Sequence, residues 1–228
     1  MIKKIITSLV LGLLMLVAIL LLRTWSFSPQ NMASDQYDPV SLNPQQISAH
    51  LSQAVQFQTV SKQNPADMDY AAFTAFIDWV AVTYPEVHAQ LELVPINDLT
   101  LLYIWKGQDE TLHPVLMSGH YDVVPVIPGT ESDWVHAPYA GVIDETHIWG
   151  RGTLDDKSAV IGMLEALTVL VKQGFQPNRT IYVAATHDEE IGSVKGAGGI
   201  VDWMKANNVA PMWSLDEGSF VLNGLIPG

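Results

Sequence analysis

The sequence predicts an α/β domain, a layered and largely parallel mixed sheet flanked by helices, preceded by one transmembrane helix. Apolar strand-like runs alternate with helical stretches of about 15 to 18 residues, the spacing that parallel strands need for their crossovers. Four polar groups, "GHYDVVP", "GRGTLDDK", "ATHDEEIGS" and "SLDEGSF", stand at or near the ends of those runs. In open α/β sheets, ligand sites gather beyond the carboxyl ends of the strands. Ahead of all this, Ile5 to Leu22 runs without a charge.

That first run is long enough, as a helix rising 1.5 Å per residue, to span about 27 Å, close to a hydrocarbon core of roughly 30 Å. Lys3 and Lys4 precede it and favour a cytoplasmic N-terminus, so residues 1–23 read as a membrane anchor with the remainder exported. A cleaved signal sequence is the rival, although signal cores are shorter and end on small residues, where this one runs into "LLRTWSF". Residues 24–43 are polar, hold two prolines and read as a linker. The domain then occupies 44–228.

Within it, "PQQISAHLSQAVQF" places Pro44 in a first helical turn with apolar residues at helical spacing, and Tyr70 to Tyr84 repeats that spacing. "AQLELVPI" and "LTLLYIWKG" read as paired strands, and "HPVLMSGHYDVVPV" as a buried strand between Pro114 and Pro125. Asp156 to Gln173 is a helix stopped by Gly174. "RTIYVAATHDEE" is a second buried strand, Ser193 to Asn207 a helix, and "PMWSLDEGSF" a short last strand.

The net charge is −13, from 24 acidic and 11 basic residues. It lacks the basic footprint of a nucleic-acid binder. With no cysteine in the chain, disulfides, thiolate catalysis and cysteine-type zinc sites are excluded.

Taken singly, each polar group has a structural reading. His120 and Asp122 are two apart and share a side of an extended chain, as a satisfied polar pair would. Asp155 suits a helix N-cap, Glu189 and Glu190 a solvated loop, and Asp216 a turn. Together they make a different case. Carboxylates gathered at one sheet edge repel unless a cation joins them. One histidine with several carboxylates is the donor set of hydrolytic zinc sites, and a shared carboxylate can serve two ions. A further glutamate, free of metal, could act as general base.

The ordered set "SGHYDVVP", "WGRGTLDDK", "THDEEIG" and "LDEGSF" resembles the zinc-dependent exopeptidase and aminoacylase family that includes carboxypeptidase S and succinyl-diaminopimelate desuccinylase. The resemblance spans residues 44–228, with "FQTVS" and "HAPYAG" also shared with the branch of carboxypeptidase S and the N-fatty-acyl-amino acid synthase/hydrolases. It implies a metallohydrolase acting on an amide bond next to a free carboxylate, in short peptides or N-acyl amino acids, with two Zn2+ per active site. Carried over by position, His120 ligates the first zinc and Asp122 orients it. Asp155 is shared by both ions, Glu189 is the general base on the metal-held water, Glu190 ligates the second zinc and Asp216 the first.

The family pattern also uses a second histidine far downstream and a smaller inserted domain that helps form a homodimer. None of His50, His88, His113, His136, His147 or His187 lies in a matching motif, so the resemblance implies the N-terminal part of a longer enzyme. The rival expectation is a fragment that holds metal partially without turnover.

Overall fold

The computed structural model describes residues 2–26 and 40–218 and divides the chain into two units, one up to Val40 and one from Ser41 onward. The first unit holds α1 (Ile2–Trp25), a helix long and apolar enough to cross a membrane. Most of the predicted linker, residues 27–39, lies outside the described residues, as does the end of the last motif from Ser219.

In the second unit, α2 (Pro44–Gln56) starts where Asn43 accepts the Gln46 N–H and Pro44 sets the first turn. Asp69 caps α3 (Tyr70–Thr83) by accepting from Ala71 and Ala72 N–H. A short α4 (Pro85–Gln90), not anticipated from the pattern, leads into β1 (Glu92–Ile96) and β2 (Thr100–Trp105). These two strands join through a tight turn in which Asn97 and Asp98 take positive φ, which Asn and Asp tolerate better than most residues. β3 (Val115–His120) follows, and then a small unpredicted hairpin of β4 (Val142–Ile143) and β5 (Ile148–Trp149). The chain continues through α5 (Lys157–Lys172), β6 (Ile181–Thr186), α6 (Ala197–Ala206) and β7 (Trp213–Leu215).

The main sheet has the order β1-β2-β6-β3-β7. Pairs β3–β6 and β3–β7 are parallel, whereas β1–β2 and β2–β6 are antiparallel. The expected largely parallel sheet is therefore corrected to one that is half parallel among the described strands. The reason is connectivity. Helices α5 and α6 supply the crossovers behind β6 and β7, while the short turn after β1 can make only a hairpin.

Both sheet faces are covered. Leu101, Tyr103 and Trp105 of β2 pack with α3, α4 and α5 residues such as Phe76, Val87 and Leu164. Their neighbours Leu102 and Ile104 face the other way, onto Ile200 and Met204 of α6. This alternation is the two-residue period of a strand, and a strand apolar at every position is what burial on both faces requires. Helix α6 starts later than Ser193, because the Asp188 carboxylate captures the Lys195 and Gly196 N–H groups and Ser193 takes a positive φ.

Candidate metal centre

Parallel strands β6, β3 and β7 run in one direction, so Thr186, His120 and Leu215 bring three of the four polar groups to the same sheet edge. The fourth reaches it differently. Asp155 stands on the turn between β5 and α5 rather than at the end of a main-sheet strand.

His120 is buried, and its Nδ1 lies 3.0 Å from the Asp122 carbonyl oxygen and 3.3 Å from Asp122 Oδ1. A carbonyl oxygen can only accept, so Nδ1 carries a proton and Nε2 is left to face outward. Around Nε2 stand Asp155 Oδ1 at 2.9 Å, Glu189 Oε2 at 3.7 Å and Glu217 Oε1 at 3.7 Å. Two groups of three ligand atoms lie mutually within 4.8 Å: His120 with Asp155 and Glu190, and His120 with Asp156 and Glu217.

Asp122 explains how the glutamates arrive there. Its carboxylate accepts the backbone N–H of Glu189 (3.1 Å) and of Glu190 (3.2 Å), and the Ser61 hydroxyl donates to it at 2.6 Å. One buried carboxylate thus holds the imidazole on one side and the turn with both glutamates on the other.

The electrostatics favour a cation. Burial pushes the His120 imidazole toward its neutral form, but the Asp122 hydrogen bond and charge, with Asp156 and Glu217, outweigh it and lift the pKa to about 10. Burial raises Asp156 to about 6, although the His120 N–H and charge pull the other way. Glu190 and Glu217 are raised as well, by burial first and by nearby carboxylates such as Asp155 second.

Of the predicted site residues, His120, Asp122, Asp155, Glu189 and Glu190 come together. Asp216 lines a small cavity of about 140 Å³ with His120 and Glu189, yet lies in neither close ligand group; its Oδ1 accepts the Glu217 N–H at 3.0 Å. Its neighbour Glu217 is the one turned to His120. His187 packs away from the centre, buried with Nδ1 2.6 Å from the Thr100 hydroxyl, and burial lowers its pKa.

Two further residues support the centre from behind. Ser61 sits on a short stretch tied to the strand end by a Val60–Val123 bridge and by Thr59, whose hydroxyl donates to the Tyr121 carbonyl at 2.6 Å. Lys157, wholly buried, donates to the Ala54 and Phe57 carbonyls at 2.9 and 2.6 Å, pinning the end of α2 to the start of α5. Burial lowers its pKa to about 7. The segment from Ala54 to Ser61 therefore straps the turn carrying Asp155 to the strand end carrying His120. The serine in "FQTVS" was visible, but nothing in the sequence shows what it faces.

Residues 116–224 match the family model described as peptidase family M20/M25/M40. The chain is 38% identical over 235 residues to a probable carboxypeptidase S-like protein 2 of Dictyostelium discoideum, covering 100% of this chain and 45% of that one. It is 32% identical over 224 residues to the N-fatty-acyl-amino acid synthase/hydrolase PM20D1 of Xenopus tropicalis, covering 95% of this chain and 43% of that one. The chain thus spans less than half the length of these curated relatives. In fold it is similar to human carnosine dipeptidase 1, with a TM-score of 0.63 and 18% identity over 78% of this chain and 39% of that one.

Proposed function

The chain carries a peptidase domain of the M20/M25/M40 family, and from that premise we propose that it is a two-zinc hydrolase cleaving an amide bond next to a free carboxylate. The observation that supports this best is the convergence of His120, Asp155 and Glu190 ligand atoms within 4.8 Å, with Glu189 3.7 Å from the same imidazole nitrogen. The donor chemistry fits: one neutral nitrogen and several carboxylate oxygens are what zinc takes in hydrolytic sites. His120 and Asp216 would hold one ion, Glu190 the other, and Asp155 both. Zinc held there supplies a Lewis acid for the scissile carbonyl and makes water more acidic.

The chain's own residues do the rest. Glu189, side chain 42% exposed and free of any backbone duty, takes the proton from the attacking water and delivers it to the leaving amine. Asp122 keeps the His120 proton on Nδ1, so that Nε2 is the ligand atom. The relatives' names point to carboxypeptidase and N-acyl amino acid chemistry, both of which present an amide beside a carboxylate.

Glu189→Gln tests the assignment. Turnover of N-acyl amino acids and short peptides is expected to fall roughly 10²- to 10⁴-fold, while zinc content, measured by elemental analysis, stays unchanged. Unchanged turnover removes Glu189 from the role of base.

A second reading concerns one ligand only. Because Glu217 stands 3.7 Å from His120 Nε2 and Asp216 belongs to neither close group, Glu217 competes for Asp216's place. Zinc affinities of Asp216→Ala and Glu217→Ala separate the two: the true ligand is the one whose loss weakens binding.

Helix α1 is proposed as a membrane anchor, with Lys3 and Lys4 holding its N-terminus in the cytoplasm and the domain on the far side. Retention of the chain in carbonate-washed membranes supports the anchor, and release of a shortened chain supports a cleaved signal.

A further inference from the structure

Beside the metal centre lies a cavity of about 470 Å³ that the chemistry above leaves unused. We propose that it receives the apolar acyl group of an N-acyl amino acid whose amide sits at the metal centre. The substrate class rests on the function proposed above, while the cavity's taste for acyl chains stands on its own lining.

Its walls are aromatic and aliphatic. Trp149 packs between His136 and His147, with ring centroids 5.3 Å away on either side, and Trp134 and Ile148 complete the interior. At its rim, Leu154 is 81% exposed and Val135 75% exposed, apolar surface left uncovered among the described residues. Ligand pockets are typically of this kind, roughly 300–1,000 Å³ and mainly apolar, with few polar groups.

Position ties the cavity to the reaction. Thr153 and Leu154 form part of its wall, and the next residue is Asp155, 2.9 Å from His120 Nε2. Successive Cα atoms stand about 3.8 Å apart, so that wall begins within about 8 Å of the Asp155 backbone.

Charge selects the end of the substrate that enters. Asp133 is the one carboxylate in the lining, and no lysine or arginine belongs to it. The Arg151 guanidinium is laid over the Trp134 ring, 5.2 Å from its centroid. A substrate carboxylate would meet Asp133, with no lysine or arginine in the lining among the described residues to offset it, so the uncharged acyl end belongs here.

Calorimetric titration of the metal-free 228-residue chain, held in nanodiscs so that α1 is shielded equally in every variant, tests this. The ligands are octanoyl-glycine, acetyl-glycine and leucyl-glycine. Octanoyl-glycine is expected to bind at least tenfold more tightly than either of the others. Trp134→Ala should erase that preference, and Leu154→Ser, at an exposed site that cannot affect folding much, should reduce it about fivefold. Acetyl-glycine binding should be unchanged in both.

Equal affinity for octanoyl- and acetyl-glycine, tighter binding of leucyl-glycine, or a preference indifferent to both substitutions overturns the inference. An intact preference in a chain that binds no zinc and turns nothing over would overturn the proposed function instead and leave the acyl cavity standing.

Discussion

The two halves of the candidate centre are built on opposite principles. On the inner half, Asp122 is fully buried and every contact it makes is a hydrogen bond to the chain: the Ser61 hydroxyl, two backbone N–H groups and the His120 ring. On the outer half, Asp155 is 63% exposed, Glu189 42% and Glu217 36%, and His120 is the cation they share. A buried carboxylate is tolerable only when its acceptors are satisfied, and this one is. Clustered carboxylates facing solvent have His120 as their shared partner among the described residues, the arrangement expected of the proposed cation site. The inner half sets geometry, and the outer half supplies the donors of the proposed metal site.

The sharpest way to break this contrast is to remove one carboxylate from each side. Asp122→Ala leaves the Ser61 hydroxyl and two backbone donors without an acceptor, and should destabilise the metal-free chain by about 3–5 kcal/mol. Asp155→Ala removes an exposed partner of His120 Nε2 but also relieves repulsion among the carboxylates, so its metal-free stability should stay within about 1 kcal/mol of the parent while zinc binding is lost. Thermal unfolding in the presence of a chelator compares the two. Similar melting losses would show that the halves do not differ.

Next in size is the strap. Lys157→Met keeps the length of the side chain but removes the ammonium donor from the Ala54 and Phe57 carbonyls, each of which keeps one backbone N–H, and should cost about 1–3 kcal/mol in urea unfolding. Smaller still is Ser61→Ala. It removes a single donor from Asp122 and is expected to weaken zinc about tenfold, the low end of what supports behind a ligand contribute. A full-strength zinc site in Ser61→Ala would detach Asp122's positioning from the strap.

The last comparison is with pH. In the metal-free chain His120 keeps its second proton up to about pH 10, so an ion arriving below that must expel one. Zinc affinity should therefore rise about tenfold per pH unit between roughly pH 6 and 9. It should rise more steeply still below about 6, where Asp156 also holds a proton. A flat profile would mean that His120 is not a ligand.

Much of this was legible beforehand because it depends on local pattern. The start of α2 follows from Pro44, α3 from its apolar spacing, and the end of α5 from Gly174 with its positive φ. The buried strands were visible as apolar runs, and polar residues directly after them could lie only at the sheet's edge. What local pattern does not encode is direction. Strand β2 is buried at every position and would read the same in a parallel or an antiparallel place. The two-residue strands of the β4–β5 hairpin are too short to announce themselves.

By itself, the sequence determined which residue types arrive at one edge and in what order: His120, Asp155, the Glu189–Glu190 pair, and Asp216–Glu217. Alternation along a strand separates inside from outside, and that much needs no partner. Only the tertiary structure decided that Glu217 rather than Asp216 turns to His120, and that Ser61 stands behind Asp122. It likewise decided that Lys157 grips α2 and that an aromatic cavity opens beside Asp155. Each of these is a contact between segments distant in the chain. Such contacts are set by register and packing, which a pattern of residue types leaves open.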